Sequence, residues 1–217
     1  MSQSEQEQNK DMSNEGQTTP VEQDSGDWRQ PTFWLVLGSV ISVWLDQWSK
    51  AWAAKTLYTG NAAVVAGVPT DPAELQTKVI KVTEWFNYRL VGNKGAAWGI
   101  FKDLNDNLRV PFFVVLGGVA LAVLLVVYYK SHGQKLLQTA LVLICGGAIG
   151  NLIDRVQIGY VIDFIDWHIG VHHWPTFNVA DISISVGVGL MVIDMLKQII
   201  DEYKAANRAK QSSEIVK

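Results

Sequence analysis

Val110-Pro-Phe-Phe-Val-Val-Leu-Gly-Gly-Val-Ala-Leu-Ala-Val-Leu-Leu-Val-Val-Tyr-Tyr129 decides the fold class: twenty residues without one charged side chain. A helix of about 20 apolar residues is what a bilayer core requires. A helix of a soluble bundle would keep a polar stripe facing water, and this stretch has none. Working outward, three further segments show the same character: Phe33–Trp52 (apolar as far as Leu45), Leu136–Ile153 and Val179–Ile200. Trp34, Trp44, Trp48, Trp52, Tyr128, Tyr129 and Trp174 fall near the predicted span ends, where amphipathic rings settle at the headgroup level. The expectation is therefore a membrane all-α core of four transmembrane helices.

The material around the spans differs in kind. Residues 1–30 carry seven acids against Lys10 and Arg29, with Ser, Gln, Asn and Thr filling most of the rest. Such a segment buries too little apolar surface to offset its ordering entropy, so it is predicted to be a disordered acidic tail. It has no basic start followed by an apolar core and is not read as a cleavable signal peptide. The formal charge of −3 comes mainly from this tail and does not point to nucleic acid as a partner. Residues 31–203 are read as the four-span domain and residues 204–217 as a polar C-terminal tail. The connection of about 55–109 is too long for a simple loop. Within it, Val79–Val91 is rich in β-branched and aromatic residues, followed by the turn signal Gly92-Asn93-Lys94-Gly95. A small extracytoplasmic β-rich subdomain between the first and second spans is the expectation. Basic residues divide evenly between the two sides, but the short turn Lys130-Ser-His-Gly-Gln-Lys135 is dense in charge while 154–178 holds only Arg155. This favours both termini in the cytoplasm.

Ionisable residues at membrane depth each ask for a partner or a function. Asp46 and Lys50 stand four apart on one helix face, as a mutual ion pair or as the floor of a polar site. Gly146-Gly147-Ala-Ile-Gly150-Asn151-Leu-Ile-Asp154-Arg155 joins three small residues, which permit close approach, to a polar helix end. For Asp154, a helix-packing clamp with Arg155 competes with a place in a site; the Arg155 fork suits backbone or phosphate oxygens. Asp163, in Tyr160-Val-Ile-Asp-Phe164, and Asp181, in Phe177-Asn178-Val-Ala180-Asp181, lie 18 positions apart, enough for the chain to leave the membrane and return. Brought together, two such carboxylates share a proton, one activating water and the other polarising a peptide carbonyl. Taken singly, aspartates at helix ends are often caps. His168, His172 and His173 have no metal-ligand spacing and read as interface residues, so no metal or other cofactor is expected. Cys145, the sole cysteine, reads as a small packing residue.

Five ordered motifs then carry a family resemblance: Asp46-Gln-Trp-Ser-Lys50, Asn93-Lys-Gly95-Ala-Ala-Trp98-Gly, the 146–155 box, Val161-Ile-Asp163-Phe164, and Phe177-Asn178-Val-Ala180-Asp181. From Phe33 to Ile200 the chain resembles lipoprotein signal peptidase (signal peptidase II). The resemblance implies an aspartyl endopeptidase of the bacterial cytoplasmic (inner) membrane that removes the signal peptide from prolipoproteins, cutting before a diacylglyceryl-cysteine. It implies Asp163 and Asp181 as the catalytic pair and Asn93, Asn151, Arg155 and Asn178 as substrate-binding residues. Asp46, Lys50, Gly95, Gly147, Asp154 and Ala180 would support a site near the outer face. Membrane lipid and a globomycin-type inhibitor are the further partners implied. The acidic extension of about 30 residues is not required by the family pattern.

Two readings from other classes compete. A proton-coupled transporter would place its acids near the span midplanes, whereas these gather at span ends. A non-catalytic membrane scaffold would explain the glycines and tryptophans but not the two matched aspartate boxes.

Overall fold

The three-dimensional structure, a computed structural model, describes residues 29–95 and 105–215. The acidic segment 1–28 and the Ala96–Trp98 part of the Asn-x-Gly motif lie outside the described residues. Helix α1 spans Arg29–Leu57, α2 Asp106–Lys130, α3 Lys135–Ile158 and α4 Val179–Ile215. Asn105 caps α2 by accepting from the Asn107 amide at 3.0 Å. Gly159, with a φ of 83°, ends α3 in the left-handed conformation that a side chain disfavours. The fourth helix runs beyond the apolar segment because Asp201–Ile215 is rich in good helix formers and contains no glycine or proline.

Among the described residues three helices are long and apolar enough to cross a membrane: Asn107–Lys130, Lys135–Ile158 and Val179–Ser212. Helix α1 is not among them, because tryptophans, serines and the Asp46-Gln47-Trp-Ser-Lys50 group dilute its apolar run. It packs on α3 through small residues. Side chains at Gly38, Gly146 and Gly150 would run into Val142, Ser42 and Asp46 respectively. Gly147 makes the same allowance for α4, where a methyl would meet the Ala180 carbonyl and Ile184.

The β structure corrects the expected layout. A two-residue ribbon pairs β1 (Val64–Val65) with β2 (Val68–Pro69). The main antiparallel sheet has the order β3 (Ile80–Lys81), β4 (Phe86–Asn93), β5 (Val161–Ile169), β6 (His172–His173). Only β3 and β4 come from the connection between the first two helices; β5 and β6 lie between α3 and α4. The signal was present in Val161–Ile169, where nine residues include only polar Asp163, Asp166 and His168 among β-branched and aromatic neighbours. Strand β4 also takes in Gly92 and Asn93, expected as turn residues, by pairing them with Ile162 and Val161. The sheet sits on the helix ends through a core of Ala53, Ala54, Leu57, Leu90, Ile158, Tyr160, Ile162 and Phe164. Trp52 seals one side, its ring 5.0 Å from Tyr88 and 6.3 Å from Phe164.

Candidate active site

Each motif delivers its polar residues to one place, where the ends of α1, α3 and α4 meet β4 and β5. Asp163 lies mid-strand on β5 and is 1 % exposed. Its Oδ2 accepts from Asn93 Nδ2 at 3.0 Å, and its Oδ1 from Asn178 Nδ2 at 2.7 Å. Asp181 lies in the first turn of α4. Its Oδ1 accepts from Asn151 Nδ2 at 2.8 Å and its Oδ2 from the Asn178 backbone amide at 3.2 Å. The Asp181 amide in turn donates to Asn178 Oδ1 at 3.0 Å. This reciprocal pair is a capping box built from Asn and Asp, so the cap reading of Asp181 and its place beside Asp163 are both true. One asparagine, Asn178, thus touches both carboxylates; it is fully buried.

Burial pushes the Asp163 carboxyl up to about 8, and the negative charge of Asp181 adds to the rise against the opposing Asn93 hydrogen bond, Lys50 charge and Asn178 hydrogen bond. A buried carboxyl held this high keeps its proton at neutral pH. Among the described residues its direct hydrogen-bond partners are the side-chain amides of Asn93 and Asn178.

A second group of acids lies beside the first and is treated in the opposite way. Lys50 Nζ is 2.8 Å from Asp46 Oδ2 and 2.8 Å from Asp154 Oδ2, and all three side chains are at most 3 % exposed. The remaining valences are filled. Asp46 Oδ1 accepts from the Ala180 amide at 2.9 Å, and Asp154 Oδ2 from the Ile162 amide at 3.0 Å. Gln47 Nε2 donates to Asp154 Oδ1 at 2.9 Å. The expected ion pair of Asp46 with Lys50 is present, but Asp154 joins it rather than clamping Arg155. The reason is direction: Asp154 points into the helix junction, whereas Arg155, one residue on, is turned by about 100° around α3.

Arg155 reaches to the loop instead. Its guanidinium donates to the Asn151 carbonyl at 3.2 Å and the Gly95 carbonyl at 3.0 Å, and it stands 4.6 Å over the Phe113 ring. Gly95 donates back to Asn93 Oδ1 at 3.0 Å, so Arg155 and Asn93 hold the same turn from two sides. Asn151 links the two acid groups: its Oδ1 accepts from Lys50 at 3.0 Å and Asn178 at 3.1 Å, while its amide holds Asp181.

Gln47 and Phe113 escaped the reading of the sequence. Gln47 sits inside the Asp46–Lys50 motif, a signal that was available; Phe113 lies in a uniformly apolar span and gave none. The histidines join a separate cluster. His173 Nδ1 lies 2.9 Å from buried Asp166, which also meets Arg89 at 3.2 Å. Burial works to raise the Asp166 carboxyl, but the His173 hydrogen bond, the Arg89 charge and Asn87 bring it below the usual carboxylate range.

Apolar helices of spanning length, with a buried acid-rich site where they meet a small sheet, define the class: a multi-pass membrane protein whose polar chemistry is gathered at helix ends. Known proteins narrow it further. The family described as Signal peptidase (SPase) II matches residues 38–197. A lipoprotein signal peptidase of Paraburkholderia phymatum is 40 % identical over 167 residues, 76 % of this chain and 89 % of that protein. One from Ralstonia nicotianae is 41 % identical over 167 residues, 76 % of this chain and 85 % of that protein. A solved bacterial membrane enzyme superposes with a TM-score of 0.60 at 32 % identity, over 76 % of this chain and 88 % of its own. The chain belongs to the signal peptidase II family.

Proposed function

We propose that this protein is a membrane-embedded aspartyl endopeptidase that removes the signal peptide from diacylglyceryl-modified prolipoproteins, with Asp163 and Asp181 as its catalytic pair. The observation that carries the reading is the bridge through Asn178: one buried residue holds two carboxylates, Asp163 through its side-chain amide and Asp181 through its backbone amide, and burial with its neighbour's charge raises Asp163 toward the protonated form. Asp163 hydrogen-bonds the scissile carbonyl and polarises it. Asp181 accepts a proton from the water that attacks. As the tetrahedral intermediate collapses, a proton passes to the departing amine and the C–N bond breaks. The neutral form of Asp163 is the one able to donate to the carbonyl, which is why its raised pKa matters.

Asn93, Asn151, Arg155 and Asn178 bind and orient the extended substrate, and a globomycin-type inhibitor occupies the same place. Gly95, Gly147 and Ala180 give the close backbone approaches that hold the site together, and Asp46, Lys50 and Asp154 form its floor. In this reading α1 is a fourth span, its acids and lysine satisfied inside the bundle rather than facing lipid. Residues 31–203 then make the peptidase domain, flanked by the acidic segment 1–30 and the polar end 204–217. Both termini are cytoplasmic, and the site lies near the outer face of the bacterial inner membrane, at the depth where a lipid-anchored cysteine presents its peptide bond. A transporter reading lacks support, because the buried acids are either neutralised by Lys50 or paired at one end of the helices.

The test is cleavage of a diacylglyceryl prolipoprotein by purified protein in lipid. Asp163→Asn and Asp181→Asn should each abolish processing while the protein still inserts, and a chelator should leave the wild-type rate unchanged. Normal processing by either variant would refute the catalytic pair.

A further inference from the structure

At the end of the sheet away from Asn93, the β5–β6 hairpin presents an apolar tip to its surroundings. Gly170, with a φ of 59°, and Val171 form a two-residue turn between the paired residues Ile169 and His172. A positive φ at the first central position alone fits the type II′ turn that matches the twist of a hairpin. Ile169 is 83 % exposed and Val171 86 %. Trp167, Trp174 and Trp85 stand behind the tip, each at least half exposed, and with the histidines line a cleft of about 520 Å³. From Trp167 to Phe177 there is no Asp, Glu, Lys or Arg. Two large aliphatic side chains at a turn tip, backed by tryptophans and free of fixed charge, are not a solvent-adapted surface.

We propose that this hairpin is a membrane-surface anchor, with Ile169 and Val171 immersed among the lipids of the leaflet beneath the sheet and the tryptophans at the headgroup level. Continuity argues for lipid as the occupant. The hairpin is flanked by the two helices α3 and α4, with Gly159 and Tyr160 on one side and residues 174–178 on the other. A membrane interface is therefore already at its base. A bound peptide is a poorer occupant: the outer strand β6 has only two residues, too short an edge to template an added strand. Tryptophan flanking aliphatic residues is the composition that interfacial elements use. The anchor would hold β5, and with it Asp163, at a fixed height over the bilayer.

The experiment uses the full chain with Cys145→Ala, labelled with an environment-sensitive fluorophore at Val171→Cys or, as a control at the opposite edge of the sheet, at Lys81→Cys. Both are reconstituted into phosphatidylcholine–phosphatidylglycerol nanodiscs. Lipid carrying a quencher high on its acyl chain should quench position 171 about threefold more than position 81, and iodide in the water should do the reverse. Equal quenching at the two positions would overturn the anchor. A second arm compares Ile169→Asp/Val171→Asp with wild type. Cleavage of a bilayer-borne lipopeptide should fall about tenfold while cleavage in detergent is unchanged. An equal loss in both media would mean that the tip touches the peptide, and would also overturn the proposal.

Discussion

Two groups of carboxylates, all buried but the half-buried Asp181, lie side by side in this protein, joined by Asn151, and they are handled in opposite ways. Asp46 and Asp154 share the Lys50 ammonium at 2.8 Å each and have backbone amides and Gln47 on their remaining oxygens. Asp163 and Asp181 are given amides alone: Asn93, Asn151, Asn178 and the backbone. A carboxylate that meets a cation in a dry place is tied to that partner and contributes to architecture. A carboxyl denied a cation, with a second acid nearby, is left able to exchange a proton, and that is what hydrolysis needs. The difference between the two groups is one lysine, and it separates the floor of the site from its chemistry.

The comparison can be broken in several ways. The largest effect is expected at the uncompensated pair: Asp163→Asn or Asp181→Asn should lower kcat by about 10⁴-fold or more, with the folded yield little changed, in single-turnover cleavage of lipidated substrate. At the compensated group the ranking should invert. Lys50→Met leaves two buried acids with no cation and should cost about 3–5 kcal/mol of stability, read from thermal unfolding in detergent. If Lys50→Met folded normally but lost only activity, the division drawn here would fail. Asn178→Ala touches both roles. It removes an N-cap worth about 1 kcal/mol and the side-chain hydrogen bond to Asp163, while the backbone amide still holds Asp181, so a modest fall in Tm should accompany a large fall in kcat.

How much of this was legible in the chain follows the range of the interactions. Three of the four expected spans could be read from local apolar runs, and Asp46 with Lys50 from their four-residue spacing on one helix. Asp163 and Asp181 were recognisable because their short motifs stand in order around the spans. Lys50 with Asp154 was not legible, because the contact joins residues on different helices and no local period records it. Strand β5 was overlooked for a related reason. Its partner β4 lies more than sixty residues earlier, and the register joining Asn93 to Val161 is set by tertiary packing. The aspartate box drew attention to the acid, while the β-branched and aromatic residues around it carried the structure. Arg155 shows a third case: it was expected to bind substrate, and in the structure its fork holds the backbone oxygens of Asn151 and Gly95 in its own chain. Arg155→Ala should consequently raise KM by about tenfold through loosening of the Asn93 turn, with a smaller change in Tm than Lys50→Met produces.

One more effect is expected in stability against pH. Asp163 has its carboxyl raised from the ordinary value of 3.8 to about 8, so between those limits the native state binds a proton that the unfolded chain has lost. Stability from this group is therefore greatest at low pH and declines as pH rises toward 8, at no more than ~1.4 kcal/mol per pH unit. Asp163→Asn should flatten that decline; an unchanged slope in the variant would place the titrating group elsewhere.

The most direct measurement is of the proton itself, by infrared difference spectroscopy of the lipid-reconstituted protein with isotope-labelled aspartate. A protonated carboxyl band should be present at pH 7, fade as the pH passes about 8, and be missing from Asp163→Asn while remaining in Asp46→Asn. Full ionisation of Asp163 at pH 7, with that band absent in the wild type, would contradict the account.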